Sequence, residues 1–206
     1  NADAELEVNK KMIKKAQKKD HHKKSLLPHR GPGVMSKLKL GFLIAKKTSV
    51  ENIGDYRYSG LWFFLLPDMV QRMSGQFFDQ FLDTHYYDPM GIERLTFNPS
   101  FKYSKEEIVP TEKDSLFRNT LVHGWVHDEA AGLMGGISGN AGLFANATSL
   151  AKLLKMLLNK GLYEGKQYLK PETTALFTAR AYPETENRRG LGFDKPTLDT
   201  IPSERY

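Results

Sequence analysis

Leu150, Leu153, Leu154, Leu157 and Leu158 fall at i, i+3, i+4, i+7 and i+8, the spacing of a single helix face. A face this apolar has to be covered, so the chain needs a second layer against which it can lie. The spacing predicts a helix over 147–160, with Gly161 as its C′ stop. Residues 111–146, just upstream, are rich in glycine (Gly124, Gly132, Gly135, Gly136, Gly139 and Gly142) and read mostly as loop. No Gly-Lys-Ser/Thr follows these glycines, so they do not make a phosphate loop. They are suited to close backbone approach and left-handed turns.

The rest of the chain has similar punctuation. Ser59 can cap a helix reaching Met73, with Trp62, Leu65, Leu66, Met69 and Met73 on one face and Pro67 marking a broken first part. Ser74-Gly75 ends it. A second helix over 76–87 carries Phe78, Phe81, Leu82 and His85 on one stripe and closes at Asp88-Pro-Met-Gly91. Residues 92–110 read as extended or irregular, with Leu95-Thr-Phe97 as a short strand. Tyr163–Leu169 suggests a hairpin around Glu164-Gly165, and Pro171 opens a helix to about Ala179. Residues 180–206 form a polar, turn-rich tail containing Arg188-Arg-Gly-Leu-Gly-Phe193.

Composition matters mainly where it excludes. The absence of cysteine removes a disulfide scaffold, a thiolate zinc site and a thiol nucleophile. The longest apolar run, Leu61–Leu66, stops at Pro67, well short of the ~20 residues a membrane span needs. The first 50 residues hold 13 Lys and Arg against 4 Asp and Glu, while the other 156 hold 17 against 20. Basic character therefore belongs to the N-terminal quarter. Lysine pairs at 10–11, 14–15, 18–19 and 23–24 could mark a nucleic-acid surface. Arginine is nearly lacking there and no aromatic residue is interleaved for base stacking, so a solvated segment is expected and no nucleic-acid partner. The chain starts at Asn1 and shows no charged-then-apolar leader, which suggests a processed or excised piece. The expected organisation is a basic segment over 1–50 and one domain over 51–206.

Two strings could carry chemistry. Tyr58 stands just before a helix start, where the dipole and unpaired N–H groups suit a general base or proton shuttle, although a tyrosine in that place is more often a packing residue. His127-Asp-Glu129 invites a metal reading, but adjacent residues rarely converge on one ion. A turn held by side chain to backbone hydrogen bonds fits that string better. No metal or cofactor is indicated.

Six strings occur in order: Tyr56-Arg-Tyr-Ser-Gly-Leu61, Asp88-Pro-Met-Gly-Ile92, Val109-Pro-Thr-Glu112, Val126-His-Asp-Glu129, Gly136-Ile-Ser-Gly-Asn-Ala-Gly-Leu-Phe144 and Asn187-Arg-Arg-Gly-Leu-Gly-Phe-Asp194. Together, over roughly 54–196, they resemble the serine β-lactamase and penicillin-binding-protein-like hydrolases. The esterase-like branch, which includes β-lactamase-related domains attached to bacterial β-N-acetylglucosaminidases, is the nearest likeness. The resemblance implies an α/β (α+β) β-lactamase/transpeptidase-like fold, of which this chain would supply mostly the helical region with few strands.

The resemblance also implies acyl transfer. A serine in a Ser-x-x-Lys motif attacks an ester, amide or cell-wall peptide carbonyl. The lysine and the tyrosine of a Tyr-x-Asn-like motif handle protons, and a Lys/His-x-Gly strand lines the oxyanion side. Tyr58 falls at that tyrosine, with Gly60 at the third place of its motif. Ser36-Lys-Leu-Lys39 has the Ser-x-x-Lys spacing but lies close to Tyr58 in a lysine-dense stretch, and reads as a chance match. Asn140-Ala-Gly142 fits a structural loop, and the chain ends before the strand motif is expected. An inactive or truncated member of the same fold, serving as a binding or accessory module, is the alternative. Such a chain would leave the apolar faces over 62–73 and 150–158 partly uncovered, and self-association is expected. The likeness, with the lack of cysteine, implies an extracytoplasmic location.

Overall fold

A computed structural model describes residues 56, 58–185 and 187–196. The lysine pairs and Ser36–Lys39 lie outside the described residues. The first elements follow the predicted breaks. A 3-10 turn, Trp62–Leu65, runs into helix α1, Leu66–Ser74, whose first turn holds Pro67 at no cost because that N–H has no helical acceptor. Gly75 closes α1 at φ 73°, donating its N–H to the Gln71 carbonyl. Helix α2, Phe78–Leu82, passes without a break into a wide π turn, Asp83–Tyr87. There Asp88 N–H reaches the Asp83 carbonyl at 2.9 Å.

Strand β1, Leu95–Phe97, lies where the sequence suggested. Next come β2, Pro110–Asp114, and β3, Thr120–His123, which form an antiparallel hairpin. Helix α3, Glu129–Leu133, and strand β4, Leu143–Ala145, complete this stretch. Residues 111–146 are therefore more ordered than the loop expected from their glycines. The hairpin turn is built on one carboxylate: Asp114 accepts the backbone N–H groups of Leu116, Phe117 and Arg118 at 2.9, 2.8 and 2.9 Å. These bonds, that from Phe117 above all, hold the Asp114 carboxyl below the usual aspartate range.

Strand β4 pairs with β1 in antiparallel register, Leu95 opposite Ala145 and Phe97 opposite Leu143. Helix α4, Ala147–Leu158, starts at Asn146, whose Oδ1 accepts the Ser149 N–H at 2.8 Å. Strands β5, Leu162–Tyr163, and β6, Lys166–Gln167, form the expected small hairpin, and α5 spans Pro171–Thr178. Among the described residues every sheet is a two-stranded antiparallel pair. The result is a mainly helical α+β chain with few strands.

The core gathers Tyr87, Met90, Ile92, Leu95, Met156 and Tyr163, with Leu82, Tyr86, Leu153 and Leu157 packed against it. Helix α4 thus buries a face centred on Ser149, Leu153 and Met156, rotated from the leucine stripe. Leu150, Leu154 and Leu158 stay 41, 46 and 84 % exposed. On α1 and the turn before it, Phe64, Pro67 and Asp68 are buried, whereas Trp62, Met69 and Met73 face outward. Buried Asp68 is held by Arg72 Nε at 2.6 Å. Periodicity locates an apolar face, but tertiary packing decides which edge of it is covered.

Gly161 ties α4 to the hairpin after it. Its φ is +87°, and a Cβ there would sit 2.0 Å from the Leu169 carbonyl oxygen. Its own carbonyl accepts N–H groups from Tyr168 at 2.8 Å and Leu169 at 3.3 Å, while its N–H bonds to Met156 O at 2.9 Å.

Candidate functional site

Tyr58 lies just ahead of the 3-10 turn, 76 % exposed. Behind it, Ser59 Oγ accepts the Leu61 N–H at 3.2 Å and Gly60 O accepts the Phe63 N–H at 3.1 Å. The N-cap of the turn is Leu61, with no side-chain capping bond, so Ser59 makes a local bond just upstream and is not the cap its type predicts. The turn is only four residues long and α1 begins at Leu66. A full helix dipole does not start at Tyr58. The positive group beside its ring is instead Arg189, whose guanidinium carbon is 4.9 Å from the ring centroid.

The glycine-rich loop forms one wall. A Cβ on Gly139 would lie 2.3 Å from the Phe63 carbonyl oxygen, so loop and 3-10 turn meet backbone to backbone. Asn140 sits beside Gly60, its Nδ2 3.5 Å from where a Gly60 Cβ would point, and its Oδ1 accepts the Ser138 hydroxyl at 2.7 Å. At the loop's other end buried Asn98, left-handed at φ 47°, donates Nδ2–H to the Gly135 carbonyl at 2.9 Å. A Cβ on Gly136 would collide with that same Asn98 side chain. Asn140-Ala-Gly142 is thus part of a packed loop.

The second wall is 187–194. Asp194 takes a two-pronged hydrogen bond from Arg188, Nε at 2.6 Å and Nη2 at 2.9 Å, and a third from Arg189 Nη2 at 3.3 Å. The Arg188 bonds hold the Asp194 carboxyl down at about 2, and Arg188 itself is raised by the same contact. Gly190 lets this segment close on the end of α5: a Cβ there would lie 2.5 Å from Ala179 O and 2.7 Å from Phe177 O. The Leu191 N–H then bonds the Phe177 carbonyl at 3.1 Å. The sequence marked the Arg-Arg-Gly-Leu-Gly-Phe run but gave Arg189 no role. Its only signal was order along the chain, because the meeting with Tyr58 is non-local.

His127-Asp-Glu129 is a cap and a surface pair. Asp128 Oδ1 accepts the Ala131 N–H at 2.6 Å to start α3, and His127 Nδ1 lies 2.7 Å from Glu112 Oε1. No group of three or more metal-ligating side chains occurs among the described residues. An open depression of about 320 Å³ lies elsewhere, with Asp83, Asp88 and Glu93 on its rim and Lys102 bound to Asp83 at 3.1 Å. It contains no residue from the Tyr58 setting. What the latter offers chemically is a solvent-facing phenol beside a fixed cation, with Asn140 packed next to Gly60.

The family model described as Beta-lactamase matches residues 42–199. A protein of Escherichia coli named "Putative D-alanyl-D-alanine carboxypeptidase" is 35% identical over 165 residues, covering 71% of this chain and 38% of that protein. One of the same name from Salmonella schwarzengrund is 33% identical over 162 residues, covering 72% of this chain and 37% of that protein. The chain therefore spans well under half the length of these relatives. The crystal structure of a novel penicillin-binding protein homolog from Caulobacter crescentus superposes with a TM-score of 0.51 at 16% identity, covering 81% of this chain and 50% of that one. At that identity the likeness speaks for the fold, which the two share.

Proposed function

Because the chain belongs to the Beta-lactamase family, we propose that it forms part of a serine hydrolase acting by acyl transfer on an ester, amide or cell-wall peptide, with Tyr58 handling protons. One observation carries this reading. The Tyr58 phenol is open to solvent beside Arg189, not sunk among aliphatic side chains. The carboxypeptidase names of the relatives favour a peptide carbonyl as the group attacked and an extracytoplasmic location. No helix among the described residues is long and apolar enough to cross a membrane.

The chemistry needs a serine oxygen to attack the carbonyl carbon and lose its proton. The leaving group gains a proton as the acyl-enzyme forms, and water then releases the acid. A phenol at the mouth of such a site can pass the first proton to the leaving group. The serine is expected outside the described residues.

The alternative is a binding or accessory module of the same fold. Gly60 favours it, since the third place of the tyrosine motif carries no side chain to hold a substrate. The rate of p-nitrophenyl ester hydrolysis by the chain and by Tyr58→Phe separates the two. A fall of ~100-fold supports proton handling, and equal near-background rates support the module. Labelling by a fluorescent penicillin, with mass mapping of the adduct, identifies the serine. An adduct on Ser36 would overturn the chance reading of Ser36–Lys39.

A further inference from the structure

Tyr58 is exposed, and an exposed aromatic side chain samples several rotamers unless something holds it. Arg189 lies over its ring at 4.9 Å. The guanidinium is in turn held by Asp194, whose Oδ2 accepts Nη2–H at 3.3 Å, while the residue's backbone N–H is tied to Asn187 Oδ1 at 3.0 Å. Asp194 is fixed by the fork of Arg188 and by the Lys195 N–H at 3.0 Å. The segment as a whole is locked to α5 through Gly190, where no side chain would fit. An ordered chain of contacts thus runs from the α5 terminus through Asp194 and Arg189 to the phenol ring.

Resting on the reading of Tyr58 just given, we propose that Arg189 is a positioning residue for Tyr58, set by Asp194. Arg189 meets the ring and the carboxylate at once, a double task that a planar guanidinium can perform and an ammonium performs less well. The tail segment 187–194 then orients the phenol without touching substrate.

The test has two arms on the full chain. In the first, the Arg189 Nε–Hε resonance is followed by NMR, since a proton over an aromatic face is shifted upfield. An upfield signal that returns to the ordinary arginine position in Tyr58→Ala, and moves toward it in Asp194→Asn, is the expected result. An ordinary position in the unsubstituted chain overturns the proposal. In the second arm, ester hydrolysis is measured in a double-mutant cycle. Arg189→Met should lower kcat about threefold with KM unchanged, Arg189→Lys should recover part of it, and Arg189→Met should do nothing further in Tyr58→Phe. An equal loss in the Tyr58→Phe background overturns the coupling. If Tyr58→Phe alone leaves hydrolysis unchanged while the upfield signal persists, the catalytic reading of Tyr58 fails and the positioning contact stands.

Discussion

A Cβ placed on Gly139 would lie 2.3 Å from the Phe63 carbonyl oxygen, so the glycine-rich loop and the turn after Tyr58 touch through bare backbone. Gly139→Ala must push the two apart. Overpacking against a rigid carbonyl costs about 1–3 kcal/mol, and the unfolding midpoint in urea should fall accordingly. Gly75→Ala provides the contrast. Nothing lies within 4 Å of its Cβ position, but φ is +73°, so its cost of about 1–2 kcal/mol is conformational. Only the first substitution should also disturb the Tyr58 setting, visible as a change in the Arg189 Hε signal.

Acidification should weaken the fold in a defined window. The Asp194 carboxyl is held down at about 2 by Arg188, and Asp114 is lowered by its backbone N–H partners. A carboxylate depressed in the folded state adds stability above its unfolded value of about 3.9 and loses it as pH falls through the folded value. Stability should therefore decline from near pH 4 toward about pH 2, as followed by thermal unfolding. Asp194→Asn should flatten part of that decline, and an unchanged slope would contradict the Arg188 pairing.

Met156 is 1 % exposed at the centre of the core. Met156→Ala should cost about 2–5 kcal/mol by chemical denaturation, through lost burial and the cavity left behind. Leu158→Ala, on the same helix but 84 % exposed, should change stability by no more than about 0.5 kcal/mol.

The outward apolar residues of α1 and α4 should make the chain self-associate. Leu154 and Leu158 are exposed on α4, as are Met69 and Met73 on α1. Light scattering should show a concentration-dependent mass, reduced by the pair Leu154→Glu and Leu158→Glu. A stable monomer at high concentration would count against it.

Helix ends were legible because they rest on local chemistry. Gly75 and Pro171 mark their boundaries through backbone conformation, whereas α4 is capped one residue earlier than its glycine suggests, at Asn159 followed by left-handed Lys160, and the short α3 begun by Asp128 was not foreseen in a stretch read as loop. The β2–β3 hairpin was not legible. Pro110-Thr-Glu-Lys-Asp114 has no alternation of apolar residues, and its turn depends on one carboxylate gathering three N–H groups. Strand β4 was hidden likewise, since Leu143-Phe-Ala145 becomes a strand only through β1. The leucine face on α4 was visible as a stripe, but the sequence could not say that Met156, lying between its members, would take the centre. Tyr58 is proposed from its motif alone. Arg189 was not assigned a role because their contact joins distant parts of the chain.

Gly161 has a dynamic consequence. Its carbonyl is shared by Tyr168 and Leu169 while its amide is spent on Met156. The final turn of α4 and the β5–β6 hairpin are therefore joined at one residue, through the two peptide units that flank its Cα. Amide protons on both sides should exchange with deuterium at a common rate, as one cooperative unit.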